Sequence, residues 1–510
     1  MIHTRNFTPR LYQETILATA IKNNTLVILP TGLGKTHLSL LVAVNRLENF
    51  PNSKILFLAP TKPLANQHLQ TYKKFLEIEP EKLVLFTGFV KPEQREKLWK
   101  DSTFIFSTPQ CIENDLENNR IDLKDFTLLI VDEAHRSVKE YSYVNVAKVY
   151  MQQSQFPRVL ALTASPGGTR EKIKEICNNL FIEAIEIRSE QDLDVKPYVQ
   201  EKKIEWINLD LPNEFKEISS LIKKVYLEKL KHIKNFGFNK PIGLINRRDL
   251  IGIQLAFQKR LKKHDPAAYS GISLVAQAIK LSYALELVQT QSINSIKKFL
   301  NKLKTEKSKA SHIIVNDNNI IKAMDLINIL DEKNIKHPKM EKLYEIIQKE
   351  IEQNSNSKII IFANFRDTVR EIVDLLKQNE NIRPIQLVGQ KEGITQKIQI
   401  ETIRSFEKGD FNVLVGTSIS EEGLDISGSS TAIFYEPIAS EIRKIQRAGR
   451  VGRTEKGKII FLITKGTMDE AYYWSSRKKE NTMKQTIHSI QNKLESQSII
   501  KEFKDVKDNS

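Results

Sequence analysis

The 510-residue chain is too long for a single hydrophobic core, so its length predicts two to four domains. Its composition, 40% hydrophobic and 27% charged, is that of a soluble protein, and neither a membrane-spanning apolar run nor a signal-peptide core is evident. The two cysteines, Cys111 and Cys177, argue against a disulfide framework and against a cysteine zinc site.

The net charge of +16 indicates a polyanionic partner, although a lysine-rich surface without such a partner remains an alternative. The charge is unevenly distributed. Residues 201–340 contain 26 Lys and Arg against 14 Asp and Glu, so a quarter of the chain carries most of the excess. We therefore expect the polyanion to contact this part of the chain.

In chain order, residues 24–165 alternate short apolar runs with amphipathic stretches. The runs predicted as buried strands are 26–30, 55–60, 104–109, 127–135 and 158–165. A second set lies at 358–364, 385–388, 411–418, 430–437 and 457–464. Strands that alternate with helices predict parallel sheets covered on both faces, with functional residues at the carboxyl ends of the strands.

The stretch between these two regions has few strand-like runs, many lysines and a helical spacing of apolar residues, so it predicts a helical insert. We accordingly predict an α/β fold with two parallel-sheet lobes and an all-helical insert. The expected boundaries are 1–204 for lobe 1, 205–335 for the insert, 336–480 for lobe 2 and 481–510 for a helical tail that frays at its end.

The first chemical motif is PTGLGKT, which follows a predicted strand and precedes an apolar helix. A glycine loop at a helix N-terminus binds phosphate through backbone N–H groups, so we predict an ATP site. Lys35 is expected to reach the β- and γ-phosphates, and the Thr36 hydroxyl to bind Mg²⁺. Leu29 departs from the common pattern, which has a glycine there. The loop residues predicted to bind the nucleotide are Pro30, Thr31, Gly32, Leu33, Gly34, Lys35 and Thr36.

The second motif is DEAH, directly after the apolar run LLIV. Asp132 is predicted to hold Mg²⁺, and Glu133 to orient and deprotonate the attacking water. The third motif, QRAGRVGR, begins at Gln446 and suits a turn that presents guanidinium groups. Arg450 and Arg453 are predicted to reach the γ-phosphate from lobe 2 as arginine fingers. A basic surface turn is the alternative.

Together these motifs resemble those of superfamily 2 helicases, whose two lobes are RecA-like. RLYQ resembles the Q-motif, so Arg10 and Gln13 are expected at the nucleotide, with Gln13 at the adenine edge. The resemblance also places Gly423 and Asp425 near the nucleotide, and Thr163, Ser165 and His135 in the coupling of hydrolysis to movement. The residues that it implies in contacts with nucleic acid are Pro60, Thr61, Thr87, Gly88, Thr108, Pro109, Asn364, Gly389 and Thr417.

Further segments resemble the archaeal Hef helicase and the Fanconi anaemia M-type DNA translocases: DEAHRSVKEYSYV, LTASPGG, HPKM and TSISEEGLDI. In that family a helical insert engages branched DNA. The resemblance implies an ATP- and Mg²⁺-dependent motor on forked, branched or duplex DNA in repair of stalled replication forks. No nuclease signature follows the motor, so we expect a separate nuclease or a sequence that continues beyond residue 510.

Three alternatives remain. One is an RNA motor of the RIG-I or Dicer type acting on duplex RNA, although its members tend to carry DECH where this chain has DEAH. The others are a nucleotide-switched clamp without turnover and a restriction-enzyme motor subunit. We further expect a cytoplasmic, nucleoid-associated monomer with no membrane contact and with a separate nuclease or sliding clamp as its protein partner.

Overall fold

The computed structural model describes residues 4, 5, 7–88, 90–167, 169–199, 202–262, 264–389, 395–417, 429–437 and 457–479, together with 481, 482, 485, 486 and 489. These residues form two parallel sheets and a bundle of helices that lies between them in the chain. The α/β fold with two parallel-sheet lobes and a helical insert is thus confirmed. The ten predicted strand runs all contain strands, and three further strands occur among the described residues.

Lobe 1 is built on a seven-stranded parallel sheet. Its strands are β1 (Thr25–Ile28), β2 (Lys54–Leu58), β3 (Leu83–Phe86), β4 (Phe104–Ser107), β5 (Phe126–Val131), β6 (Val159–Thr163) and β7 (Ala184–Ile187). Its helices are α1 (Leu11–Ala20), α2 (Lys35–Asn49), α3 (Lys62–Phe75), α4 (Pro92–Asp101), α5 (Pro109–Glu117), α6 (Ser142–Gln153) and α7 (Arg170–Asn179).

The order of strands across this sheet is β3-β4-β2-β5-β6-β1-β7. The central strands are buried along their whole length because helices cover both faces, which is why they appear in the sequence as unbroken apolar runs. Since all strands are parallel, the segments that follow them meet along one edge of the sheet.

The insert is a six-helix bundle with its own apolar core. Its helices are α8 (Asn213–Lys234), α9 (Arg247–Leu261), α10 (Pro266–Thr290), α11 (Ile293–Thr305), α12 (Lys309–Val315) and α13 (Asn318–Glu332). Among the described residues, α10 is the one helix long and apolar enough to cross a membrane, but half of its apolar window is buried in the bundle, as in a core helix.

Lobe 2 is built on a six-stranded parallel sheet of order β10-β11-β9-β12-β13-β8. Its strands are β8 (Lys202–Leu209), β9 (Ile359–Phe362), β10 (Pro384–Leu387), β11 (Val413–Gly416), β12 (Thr431–Phe434) and β13 (Gly457–Thr464). The helices are α14 (Pro338–Gln353), α15 (Arg366–Leu376) and α16 (Gln396–Lys408), and residues 468–479 are also helical.

Strand β8 corrects one detail of the sequence analysis. It runs across the boundary expected between residues 204 and 205, and all eight of its residues pair with β13 of lobe 2. The chain therefore crosses from lobe 1 to the far edge of the lobe 2 sheet before it enters the bundle. Trp206 stacks on Phe461 of β13 with ring centroids 4.1 Å apart, which fixes this register.

Lobe 2 also contains a fully buried ion pair. Lys339 Nζ in the first turn of α14 lies 2.5 Å from Asp469 Oδ2 in the helical segment 468–479, and both side chains are at most 1% exposed. Removing water from two charges is costly unless they pair, so this contact ties the last described helix to the first helix of the lobe.

Candidate nucleotide and strand-binding site

The predicted phosphate loop connects β1 to α2. Gly32 and Gly34 have φ angles of +85° and +74°, which residues with a Cβ rarely adopt. Helix α2 begins at Lys35, directly after this turn. The Lys35 Nζ donates to the carbonyl oxygens of Leu29 at 2.9 Å and Pro30 at 3.4 Å. The helix N-terminus and a lysine thus lie at one loop, as the binding of a phosphate chain requires.

The Q-motif helix α1 packs directly on this loop. Gln13 Oε1 accepts the backbone N–H of Arg10 at 3.0 Å, and Gln13 Nε2 donates to the Gly34 carbonyl at 3.4 Å. Tyr12 is a contact that sequence reasoning missed, although it lies within RLYQ: its buried hydroxyl donates to the Leu33 carbonyl at 2.8 Å. Gln13 therefore contacts both Arg10 and the phosphate loop, and the roles of Arg10 and Gln13 at the nucleotide remain predictions.

The DEAH segment follows β5, two strands from β1 in the sheet. The Tyr143 hydroxyl donates to the Asp132 carbonyl at 2.7 Å, and Glu133 adopts a left-handed backbone with φ of +50°. Such a conformation is uncommon for a glutamate and typically marks a functional turn. Burial alone would raise the pKa of Asp132, but His68 and Lys35 more than offset this effect, so its pKa lies below the ordinary value and the side chain is ionised.

His68 is the principal site residue that the sequence analysis did not single out. It lies in α3, where its Nε2 is 2.9 Å from Asp132 Oδ2 and its Nδ1 is 3.2 Å from Thr36 Oγ1. The side chain is 8% exposed. The only sequence signal was its position at the end of APTKPLANQH, the segment that contains the predicted nucleic-acid contacts Pro60 and Thr61. One imidazole therefore joins the start of α2 after the phosphate loop, the DEAH carboxylate and helix α3, whose N-cap is Thr61.

The same contacts indicate where a divalent cation fits. Thr36 and Asp132 offer a hydroxyl and an ionised carboxylate, the oxygen donors that Mg²⁺ prefers, and both lie within hydrogen-bonding distance of one imidazole. The residues present therefore suit a magnesium–nucleotide complex, in which the phosphates and water would complete the coordination.

The residues predicted to couple hydrolysis to movement also lie together. Thr163 ends β6, the strand between β1 and β5, and is fully buried. Its Oγ1 accepts the Ser165 backbone N–H at 3.1 Å and lies 3.3 Å from His135 Nδ1, which in turn is 3.2 Å from Glu133 Oε2. A chain of polar contacts therefore links the predicted general base to the segment after β6.

We call the carboxyl ends of β2, β3 and β4 the strand side of lobe 1, because the predicted contacts with a nucleic-acid strand lie there. These strands form one edge of the sheet, next to β5. The predicted nucleic-acid contacts in this lobe all follow them: Pro60 and Thr61 after β2, Thr87 and Gly88 after β3, and Thr108 and Pro109 after β4. Thr61 and Thr108 are also the N-caps of α3 and α5, so backbone N–H groups are available to phosphate oxygens.

Lobe 2 repeats this arrangement. Asn364, Gly389 and Thr417 follow β9, β10 and β11, which occupy neighbouring positions at one edge of the second sheet. The Thr417 backbone N–H donates to the Leu387 carbonyl at 3.2 Å, so the ends of β10 and β11 are held together. Each lobe thus places its predicted strand contacts at the ends of three adjacent strands.

Five predicted residues lie outside the described part of the chain. They are Gly423, Asp425, Gln446, Arg450 and Arg453. Their roles at the nucleotide, including the two arginine fingers, remain predictions. Among the residues that the structure describes, a phosphate loop, a DEAH segment and Thr163 lie at three neighbouring strand ends, an arrangement that defines the class of P-loop nucleotide hydrolases.

Comparison with known families agrees with this class. The "DEAD/DEAH box helicase" model matches residues 10–173, and the "Helicase conserved C-terminal domain" model matches residues 338–455. A third model, "Putative ATP-dependent RNA helicase, helical bundle", matches residues 214–337. All three parts of the structure therefore have counterparts in helicases.

Solved and curated relatives narrow the assignment. The crystal structure of the Pyrococcus furiosus Hef helicase domain is 42% identical, with a TM-score of 0.73 over 92% of this chain and 98% of that one. "Putative ATP-dependent RNA helicase MJ1505" of Methanocaldococcus jannaschii is 41% identical over 96% of this chain, and "ATP-dependent DNA helicase fml1" of Schizosaccharomyces pombe is 33% identical over 96%. The chain spans 62% and 61% of the lengths of these two relatives.

The chain belongs to the superfamily 2 helicases of the DEAD/DEAH-box type, in the group that contains the Hef helicase domain. This membership implies binding and hydrolysis of ATP and an interaction with nucleic acid.

Proposed function

We propose that the chain is an ATP- and Mg²⁺-dependent DNA translocase or helicase that acts on forked or branched DNA during repair of stalled replication forks. The observation that carries the proposal is the paired strand side: in each lobe, three adjacent strand ends present hydroxyl, glycine or amide residues at one edge. Such groups suit phosphates and sugars, which carry no sequence information, so binding is independent of sequence. Several relatives, fml1 among them, are named DNA helicases.

In this proposal, ATP binds at the phosphate loop through Lys35 and Thr36, and Glu133 orients and deprotonates the attacking water. Thr36 and Asp132 would hold the Mg²⁺ that accompanies the nucleotide, and the ion would offset the charge of the phosphates. Arg450 and Arg453 are proposed to bind the γ-phosphate from lobe 2. Groups of both lobes would then bind the same phosphate and hold the lobes together until hydrolysis removes it.

In this proposal the preference for forked or branched DNA comes from the helical bundle. Residues 201–340 carry a large basic excess, and Lys223, Lys224 and Lys262 are exposed on or next to α8 and α9, whereas Lys263 lies outside the described residues. Basic residues on this surface attract phosphates, and their contribution falls as salt rises. The bundle therefore adds a second contact for a branched DNA whose strand already lies on the two lobes.

The test is the ATPase rate at one fixed salt concentration with no polymer, forked DNA, linear duplex DNA, single-stranded DNA or duplex RNA. We expect forked DNA to stimulate most, and Glu133→Gln to abolish the stimulated rate while nucleotide still binds. Greater stimulation by duplex RNA would contradict the DNA assignment and favour the RNA motor, which the name of the M. jannaschii relative also suggests.

A second experiment tests the bundle. Changing Lys223, Lys224 and Lys262 together to Gln should weaken fork binding and reduce the slope of log affinity against log salt by about 0.9 for each lost phosphate contact. Basal ATPase should not change. The matched control is Lys349→Gln with Lys377→Gln, two exposed lysines of lobe 2. Equal fork affinity for the triple variant and the control would contradict the role of the bundle.

A further inference from the structure

A buried polar network joins the bundle to lobe 2. Gln291 lies between α10 and α11, Thr368 in the first turn of α15, and Glu436 just after β12, and all three are at most 4% exposed. Gln291 Nε2 donates to Glu436 Oε1 at 2.7 Å, and Thr368 Oγ1 donates to Gln291 Oε1 at 2.5 Å. Both ends of the Gln291 amide are thus bonded to lobe 2.

The second oxygen of Glu436 reaches the predicted strand contact of lobe 2. Glu436 Oε2 accepts the backbone N–H of Asn364 at 2.9 Å. Asn364 follows the carboxyl end of β9, and its side chain is exposed. One carboxylate therefore holds, on one side, the amide of a bundle residue and, on the other, the backbone of a residue placed to touch nucleic acid.

The neighbouring residue provides a separate link between the same parts. Phe365 packs on the apolar core of the bundle, with its ring 6.1 Å from that of Tyr283 in α10. Asn364 is therefore fixed by Glu436 through its backbone and by the packing of the next side chain against the bundle. A displacement of α10 relative to lobe 2 must alter one or both of these contacts.

The end of α10 makes further contacts with lobe 2. The Gln289 carbonyl lies 3.1 Å from His337 Nε2 at the start of α14, and Gln289 Oε1 accepts the Met468 backbone N–H at 3.2 Å. Together with the contacts of Gln291, these contacts tie the end of the longest bundle helix to four parts of lobe 2: α14, the helical segment 468–479, α15 and the segment after β12.

Stability alone does not explain the network. Burial raises the pKa of Glu436 to about 7, because a charged carboxylate loses its hydration there, although Lys339 and Gln291 partly offset the effect. Apolar residues of similar size are often as stable as such a buried polar group. What a fully bonded network provides is one defined geometry.

We propose that Gln291 is a positioning residue through which the bundle, by way of Glu436, sets the strand contact of lobe 2 at Asn364. DNA that binds the bundle then favours the arrangement in which Asn364 faces the strand. Binding of the branch to the bundle and binding of the strand to lobe 2 therefore strengthen each other. This inference rests on the proposed function, since it needs a strand on lobe 2 and a branch on the bundle.

The test compares forked with single-stranded DNA. Gln291→Leu keeps a similar volume but removes the two hydrogen bonds of the amide to lobe 2, together with its local bond to the Thr290 hydroxyl. We expect the fork concentration that gives half-maximal ATPase to rise about tenfold, the factor that corresponds to ~1.4 kcal/mol, within the range for a lost buried hydrogen bond. Single-stranded DNA, which does not reach the bundle, should be affected less, so the preference for forks should fall. Basal ATPase should stay the same.

Two further variants separate positioning from simple damage. Glu436→Gln should keep near-wild-type fork affinity, because the Gln side chain can accept the Asn364 backbone N–H and donate to the oxygen of a flipped Gln291 amide. Glu436→Leu, which can do neither, should behave like Gln291→Leu. If Gln291→Leu destabilises the protein, Thr368→Val removes only the hydroxyl that orients Gln291 and carries the same test. The matched control is Asn294→Ala, which removes an exposed hydrogen bond of 3.2 Å to Glu371 at the same interface.

An unchanged fork preference in Gln291→Leu, or an equal loss in Asn294→Ala, would overturn the inference while leaving the proposed function in place. A wild-type protein whose ATPase no DNA stimulates would instead overturn the proposed function on which it rests.

Discussion

Glu436→Gln is predicted to change how the stability of lobe 2 depends on pH. In the folded chain the pKa of Glu436 is raised from 4.5 to about 7 by burial, against the opposing effects of Lys339 and Gln291. The pKa of His337, at the start of α14, is lowered from 6.5 to about 3, first by burial and then by Lys339. The two groups are buried in the same lobe and shift in opposite directions.

The two shifts have opposite consequences for stability. Between pH 4.5 and about 7, the unfolded chain ionises Glu436 while the folded chain keeps it protonated, so stability falls as pH rises. Between pH 6.5 and about 3, the unfolded chain protonates His337 while the folded chain keeps it neutral, so stability falls as pH falls. Each slope is about 1.4 kcal/mol per pH unit, and the two nearly cancel between pH 4.5 and 6.5.

A glutamine at 436 has the shape of the protonated glutamate and removes only the first slope. Relative to the wild type, Glu436→Gln should therefore be equally stable near pH 4.5 and about 3 kcal/mol more stable above pH 7. The assay is hydrogen exchange of the central strands β9 and β12 at several pH values, corrected for the intrinsic exchange rate. A difference between variant and wild type that does not change with pH would refute the reasoning.

Two further predictions concern single contacts. Gly34→Ala should raise the KM for ATP about tenfold, because a Cβ at this position would lie 2.6 Å from Gln13 Nε2. The control is Gly32→Ala: Gly32 has a similar positive φ, but its Cβ would meet nothing within 4 Å. A similar KM for both variants would refute this explanation. Lys339→Met should destabilise lobe 2 by about 3–5 kcal/mol, because it leaves the buried Asp469 without its ion-pair partner. Lys342→Met on the same helix breaks only an exposed pair and should cost about 0–1 kcal/mol. Thermal unfolding of both variants measures the difference.

The sequence predicted the sheets and the positions of several candidate site residues because local chemistry determines them. Strands buried on both faces must be continuously apolar, and a loop that wraps a phosphate needs glycines followed by a helix start. Lys35, Asp132 and Thr163 could therefore be placed at strand ends from the order of residues alone. The residues on the strand side were named only because they match motifs of the family that the sequence resembles, and strand β3, which precedes Thr87 and Gly88, was not predicted.

Only the tertiary structure decided which distant residues meet. His68 joins Thr36 to Asp132 because α3 packs beside both strand ends, and no local pattern marks a histidine for that contact. The chain likewise gives no sign that Lys202–Leu209 crosses to lobe 2, because the pairing partner of β8 lies some 250 residues further along, in β13. Gln291 and Glu436 are 145 positions apart, and their hydrogen bond exists only because the bundle docks on lobe 2. Periodicity and motifs report what each segment needs from its immediate neighbours, whereas contacts of this kind depend on how separate elements pack.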